Sequence, residues 1–171
     1  MAVVQTSYPV TSSVVMTFAI ASLAADAGLV IGRASTAVDN RTNLDLDHLV
    51  SGIITTGTTP TAGSVIELWA YAPIKTVTGT PTYPDSITGT DAAKTMTSLN
   101  VKYAALVPVQ TFIIDATSNI TFPIRQFSIA TLFGTMPKFW GLFLVQATGV
   151  ALNATAGNQD FEYERIQATV V

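Results

Sequence analysis

The chain has 171 residues, of which 49% are hydrophobic and 11% charged, and its formal net charge is −3. Cysteine is absent and His48 is the sole histidine, which excludes a disulfide framework, thiolate chemistry and a histidine-rich metal centre. The eight basic residues, Arg33, Arg41, Lys75, Lys94, Lys102, Arg125, Lys138 and Arg165, are scattered, so the clustered footprint that nucleic acid requires is missing.

Polar character comes instead from 26 threonines. Threonine is β-branched and suits the pleated surface of a sheet better than an exposed helix. The length fits one domain with a real core. We therefore expect an all-β protein, a single-domain antiparallel β-sandwich of jelly-roll-like form with an extended N-terminal arm.

Residues 1–13 are polar, carry Pro9, and read as that arm; the sandwich then fills 14–171. From Val14 to Ala25 runs an apolar stretch of 12 residues with no Lys or Arg before it. That is too short for the ~20 residues of a bilayer span, and it lacks the positive start of a secretory signal. A buried strand over Val14–Ile20 and synthesis in a cytoplasm without export are expected. A second short strand covers Leu29–Ala34, broken at Gly32, and a polar loop covers Ser35–Asn43.

Leu44–Thr55 begins with alternation, which places Asp45 and Asp47 on one face and His48 on the other, with a bulge expected at Gly52. The reversal at 56–63 leads into a strand over Ser64–Ala72, so the two segments read as a long hairpin. Pro73 to Asp91 is loop-like, and loops of that length are often functional. A helical turn is expected within Asp91–Asn100. Ala104–Ala116 reads as a strand that Pro108 confines to an edge or a bulge. Ser128–Phe133 reads as a short helix closed by Gly134. The last third reads as an antiparallel pair: Phe139–Gln146, then a final strand running to Val171. In that final strand Asp160, Glu162 and Glu164 share one side as an acidic outer border of the sandwich. Arg165 falls where an apolar residue would be expected, and a bulge or an outside partner would explain it.

Three constellations could carry chemistry. Asn43, Asp45 and Asp47 resemble the start of a calcium loop, but His48 stands where that pattern needs glycine and Ile54 where it needs glutamate. A looser cation site at Asp39, Asp45 and Asp47 is left open. Two carboxylates on one strand face lie about 7 Å apart, a spacing usable in glycoside hydrolysis, although adjacent acids on a strand are more commonly a solvated face. The aromatics Trp69, Tyr71, Phe139, Trp140, Phe143, Phe161 and Tyr163 could stack on sugars, but in strands such residues more often fill a core. Trp69 and Tyr71 on one segment, and Phe139 and Phe143 on another, are expected to line the sandwich interior. No nucleophile elbow, phosphate loop or zinc-protease motif is present. No catalytic residues and no cofactor are expected.

The segments Ser35–Gly52, Thr95–Ala105, Ser128–Gly141 and Gln167–Val171 resemble those of a group of small tailed-bacteriophage virion proteins, and the likeness covers most of the chain after residue 30. It implies a non-enzymatic virion component, a capsid decoration or cement protein that binds the major capsid protein or other virion proteins. No catalytic residues come with the family. Such a protein would be a homo-oligomer assembled in the host bacterial cytoplasm into the virion, without nucleic acid or membrane as partner. Tyr8 and Pro9 on the arm and Tyr83 and Pro84 on the long loop are the candidate partner contacts. The other reading is a head- or tail-fibre module that recognises host-surface glycan.

Overall fold

Alternating and continuous apolar runs become two sheets packed face to face in a computed structural model that describes residues 4–9, 13–77, 79–155 and 157–170. In chain order the elements are β1 (Val4–Ser7), β2 (Ser13–Val15), β3 (Ile31–Ala34), β4 (Val38–Asp39), β5 (Asp47–Thr55), β6 (Val65–Tyr71), β7 (Lys75–Val77), β8 (Thr80–Thr82) and β9 (Ala92–Thr95). Then come α1 (Leu99–Ala105), β10 (Val107–Ile113), β11 (Thr121–Ser128), α2 (Ile129–Phe133), β12 (Phe139–Gln146) and β13 (Gln159–Val170). The first sheet has the order β1-β13-β5-β11, with β2 also on β13; the second has the order β10-β6-β12-β3-β9, with β4 also on β12.

The links β5 to β6, β10 to β11, and β12 to β13 all pass from one sheet to the other. This sheet-swapping order gives the all-β sandwich its jelly-roll-like form. It also corrects two expectations. Residues 44–55 and 64–72 are not a hairpin, and neither are β12 and β13. The turn residues between them build arches across the sandwich, not reversals within a sheet.

The core is built from period-2 faces. Ile66, Leu68 and Ala70 of β6, with Trp140, Leu142 and Leu144 of β12, meet Val50, Ile54, Phe161 and Tyr163 of the first sheet. Met16, Phe18 and Ile20 alternate inward beside them, although only Ser13–Val15 is paired as a strand. The opposite face of the second sheet is covered as well. Trp69, Tyr71, Phe143 and Val145 pack there against Ile87, Met96 and Leu106. β12 is therefore buried along its whole length. Trp69, Tyr71 and Phe143 thus lie behind the second sheet, not in the sandwich interior where alternation alone placed them. Covering apolar area on both faces adds about 1.5–3 kcal/mol for each large side chain removed from water.

The cover is the 73–106 excursion, expected as a loop over 73–91, a helical turn within 91–100 and a strand from Ala104, whereas the helix runs to Ala105 and the strand starts at Val107. The excursion contains the small hairpin β7–β8, the strand β9 on β3, and α1. Ser98 caps α1, its hydroxyl accepting from the Val101 amide at 3.2 Å. Pro108 does sit on an edge strand, with a register shift between Pro108 and Gln110. The short helix is α2, and its C-cap Gly134 has φ 77°, the left-handed value glycine accepts freely. Gly52 is no bulge: it pairs in register with Phe161, and a Cβ there would lie 2.4 Å from the Asp160 carbonyl. The glycine makes room for the neighbouring ring.

Parts of the expected N-terminal arm are strands. Val4–Ser7 pairs with Gln167–Val170, and Ser13–Val15 pairs with Glu162–Glu164. Residues 1–3 and 10–12 lie outside the described residues. Consequently β13 is not an outer border; it lies between β5 and the N-terminal strands.

Candidate functional site

The polar run from Asp39 to His48 folds into a tight loop and the first turn of β5. Asn40 is buried and clamps the loop, donating to the Asp45 carbonyl at 3.0 Å and accepting from the Asp45 amide at 2.9 Å. The Leu44 amide donates to the Asn40 carbonyl at 3.0 Å. This clamp holds Leu44 in a left-handed conformation, φ 52°, with its side chain 74% exposed. A branched apolar residue seldom adopts that conformation or that exposure.

Asp45 is buried and its carboxylate accepts four hydrogen bonds. They come from His48 Nε2 at 2.9 Å, Arg165 Nε at 2.8 Å, Arg165 Nη2 at 3.1 Å and Gln167 Nε2 at 2.7 Å. Burial opposes its charge, but the bonds from Arg165, His48 and Gln167 outweigh it and hold the pKa below the ordinary carboxylate value. On the far side of the ring, His48 Nδ1 accepts from Trp140 Nε1 at 2.8 Å. An indole nitrogen only donates, so His48 carries its proton on Nε2 and is neutral. Burial lowers its pKa below 6.5, against the pull of Asp45. Tyr163 packs on the ring with centroids 4.6 Å apart. With both ring nitrogens engaged and the residue 1% exposed, His48 has no lone pair free for a substrate proton.

Asp47 turns to another element. It accepts from the amides of His48 at 2.7 Å and Ala130 at 2.8 Å, and from the Ser128 hydroxyl at 2.5 Å, so it ties the start of α2 to β5. Asp39 pairs with Arg41 at 2.7 Å, and that guanidinium also lies 4.6 Å from the Phe139 ring. The three carboxylates thus serve three different partners. Among the described residues no group of three or more His, Asp or Glu is placed to hold a metal ion. Asp45 and Asp47, expected as a solvated strand face, are not one: Asp45 is buried, β5 begins only at Asp47, and each acid bonds a different element, which also gives the weighed glycosidase-type pairing no support. Arg165 pairs in register with His48, without a bulge. Its place in an apolar row is explained inside the molecule, by Asp45.

Beside this network lies a groove of about 470 Å³, lined by Leu44, Met136, Pro137, Arg41 and Lys138 together with Asn40 and Asp45 of the network. Sequence reading missed it. The available signal was Leu44 itself, an apolar residue inside a polar loop. A second buried ion pair was also missed. Lys102, fully buried on α1, donates to Glu67 Oε2 at 2.7 Å and to the Leu29 carbonyl at 2.6 Å, with Trp69 and Tyr103 around it.

The seven aromatics considered as a sugar platform are all buried: Trp140, Tyr71 and Phe143 are fully enclosed, and Trp69, Phe139, Phe161 and Tyr163 reach at most 9% exposure. Of the four candidate partner contacts, Tyr8 is 60% exposed and Pro9 half-buried. Tyr83 is half-buried with its ring edge-on to Tyr71 at 5.6 Å, and Pro84 is buried. Comparison with protein-family models, with curated proteins and with solved structures found no match.

Proposed function

We propose that the chain is a non-enzymatic structural protein of a bacteriophage particle, a capsid decoration or cement protein that binds the major capsid lattice. The observation that carries this reading is the edge of the first sheet formed by β1 and β2, whose strand pairing among the described residues is to β13 alone. There the N-terminal strands lie along β13 and present Val4 at 67%, Tyr8 at 60% and Val15 at 71% exposure. Unpaired edges invite strand addition, and soluble monomers usually blunt them with charge, yet β1 and β2 carry none. The jelly-roll-like form adds support by analogy, since capsid domains share it, as do lectins. Engagement of Asp45, Asp47 and His48 in internal bonds also favours a structural role. The seven aromatics weighed for the glycan reading are buried and present no stacking platform, which favours the structural reading over it.

The test is mass spectrometry of purified particles of the phage that encodes the chain, followed by imaging at side-chain resolution. Copies in stoichiometric ratio to the major capsid protein are expected, with the β1–β2 edge against the lattice. Particles that lack the chain would refute the proposal.

A further inference from the structure

Two exposed features of this molecule are complementary, and they cannot meet within one copy. The first is the groove at the loop end, where Leu44 projects with Lys138 beside it. The exposed Lys138 ammonium makes no ion pair or hydrogen bond among the described residues, whereas Arg41, which also lines the groove, is already paired with Asp39 at 2.7 Å. The second is a depression of about 270 Å³ on the outer face of the first sheet, lined by Ser51, Gly52, Ile53, Asp160 and Glu162. Its apolar side chain is Ile53, its two carboxylates are Asp160 and Glu162, the latter accepting from the Ser13 hydroxyl, and no basic residue lines it. Asp160 is exposed and its carboxylate has no bonding partner among the described residues.

Asp47, at the loop end of β5, and Ile53, at the depression, are separated by six residues of strand, about 20 Å. The two surfaces therefore face different neighbours.

We propose that they bind each other between copies: Leu44 of one molecule seats over Ile53 of the next, with Lys138 paired to Asp160. The occupant is a second copy of this chain because one molecule carries both halves, with opposite charge around an apolar centre in each. A head-to-tail contact of this kind builds a ring or a chain. The inference goes beyond the particle assignment and stands or falls separately from it, since purified protein alone tests it.

Sedimentation equilibrium of the full chain is the experiment. The contact is smaller than a standard interface, so mass above the 18.0 kDa monomer is expected as concentration rises through about 0.1–1 mM. Association should weaken as salt is raised. Leu44→Asp and Lys138→Glu should each weaken it about tenfold or more. Asp is accepted in the left-handed conformation, and both sites are exposed, so urea midpoints no lower than the parent's will confirm folding. The charge swap Lys138→Glu with Asp160→Lys should return affinity to within roughly threefold of the parent. A protein that stays monomeric to about 1 mM overturns the proposal. So does association indifferent to Leu44→Asp, or a charge swap as weak as its single changes.

Discussion

Replacing Asp45 by Asn removes one charge from a site where every neighbour donates. The carboxylate accepts four hydrogen bonds, from His48, Arg165 (two) and Gln167. An amide offers one oxygen, and its NH₂ group would face donors on the other side. At best about two of the four bonds survive, and each bond to a charged acceptor is worth about 1.5–3 kcal/mol. Part of that loss is recovered, because the Arg165 side chain is 18% exposed and can turn to water. The expected net cost is about 3 kcal/mol, at the low end for breaking a buried pair. For a domain of this size that lowers Tm by roughly 6–12 °C. Thermal unfolding followed by near-ultraviolet circular dichroism measures it, with the Trp140 signal changing because His48 accepts its indole proton. Asp47→Asn is the internal control. It keeps one acceptor oxygen for the α2 amide and should cost only about 1 kcal/mol. Should Asp45→Asn cost less than about 1 kcal/mol, or no more than Asp47→Asn, the buried network does not hold the fold as described.

Stability should depend on pH in two steps. His48 is held below its ordinary 6.5 by burial, so below that pH the unfolded chain takes a proton the native chain refuses, and stability falls as pH drops from 6.5 to the lowered native value. Asp45 is held below its ordinary value, so its contribution is full above about pH 4 and is lost as pH falls further, through the native value. Urea midpoints from pH 8 to pH 3 read both steps, and His48→Gln should lack the first. Lys102→Met leaves Glu67 without its cation and should cost about 3 kcal/mol, whereas Lys102→Met with Glu67→Gln should recover most of it; equal losses in the two variants would contradict this. Gly52→Ala forces a Cβ to 2.4 Å from a carbonyl and should cost about 2 kcal/mol or more. Gly63→Ala meets open space at φ 77° and should cost about 1 kcal/mol, so matched urea midpoints would refute the packing argument. Leu44→Asn, relieving a left-handed leucine, should gain about 1 kcal/mol on urea unfolding.

Local chemistry was legible in the sequence. Pro108 signalled the edge, Gly134 closed α2, and threonine with β-branched residues signalled sheets. Sheet membership was not, because a turn of glycine, proline and threonine looks the same whether it reverses a strand or arches across a sandwich. The arch at 56–63 was therefore read as a hairpin. Face assignment failed for a related reason. Alternation says that Trp69 and Tyr71 share a face, but β6 and β12 are apolar on both faces, so nothing local says which face meets the other sheet. That depends on the 73–106 cover, whose prolines and threonines read as open loop. At the site, Asp45, Asp47 and His48 stood out as polar residues. Their use did not, since Arg165 and Gln167 lie about 120 positions along the chain from Asp45.

The misplaced arginine is the most informative of these failures. An ionised side chain in an apolar strand register predicts a counter-charge nearby, since leaving it unpaired there is costly. That counter-charge is Asp45, and the pair does more than neutralise Arg165. Gln167, two residues further along β13, also donates to Asp45 and sits opposite Ser7 of β1 in the sheet register. One buried carboxylate thus fixes the end of β13 that carries the N-terminal strand. The β1 part of the edge proposed to meet the capsid lattice is exposed at Val4, Gln5 and Thr6. The backbone ladder to β13 supports its order, and through that ladder so does Asp45. Loosening the network should therefore weaken lattice binding before it unfolds the sandwich, although Asp45 is itself buried.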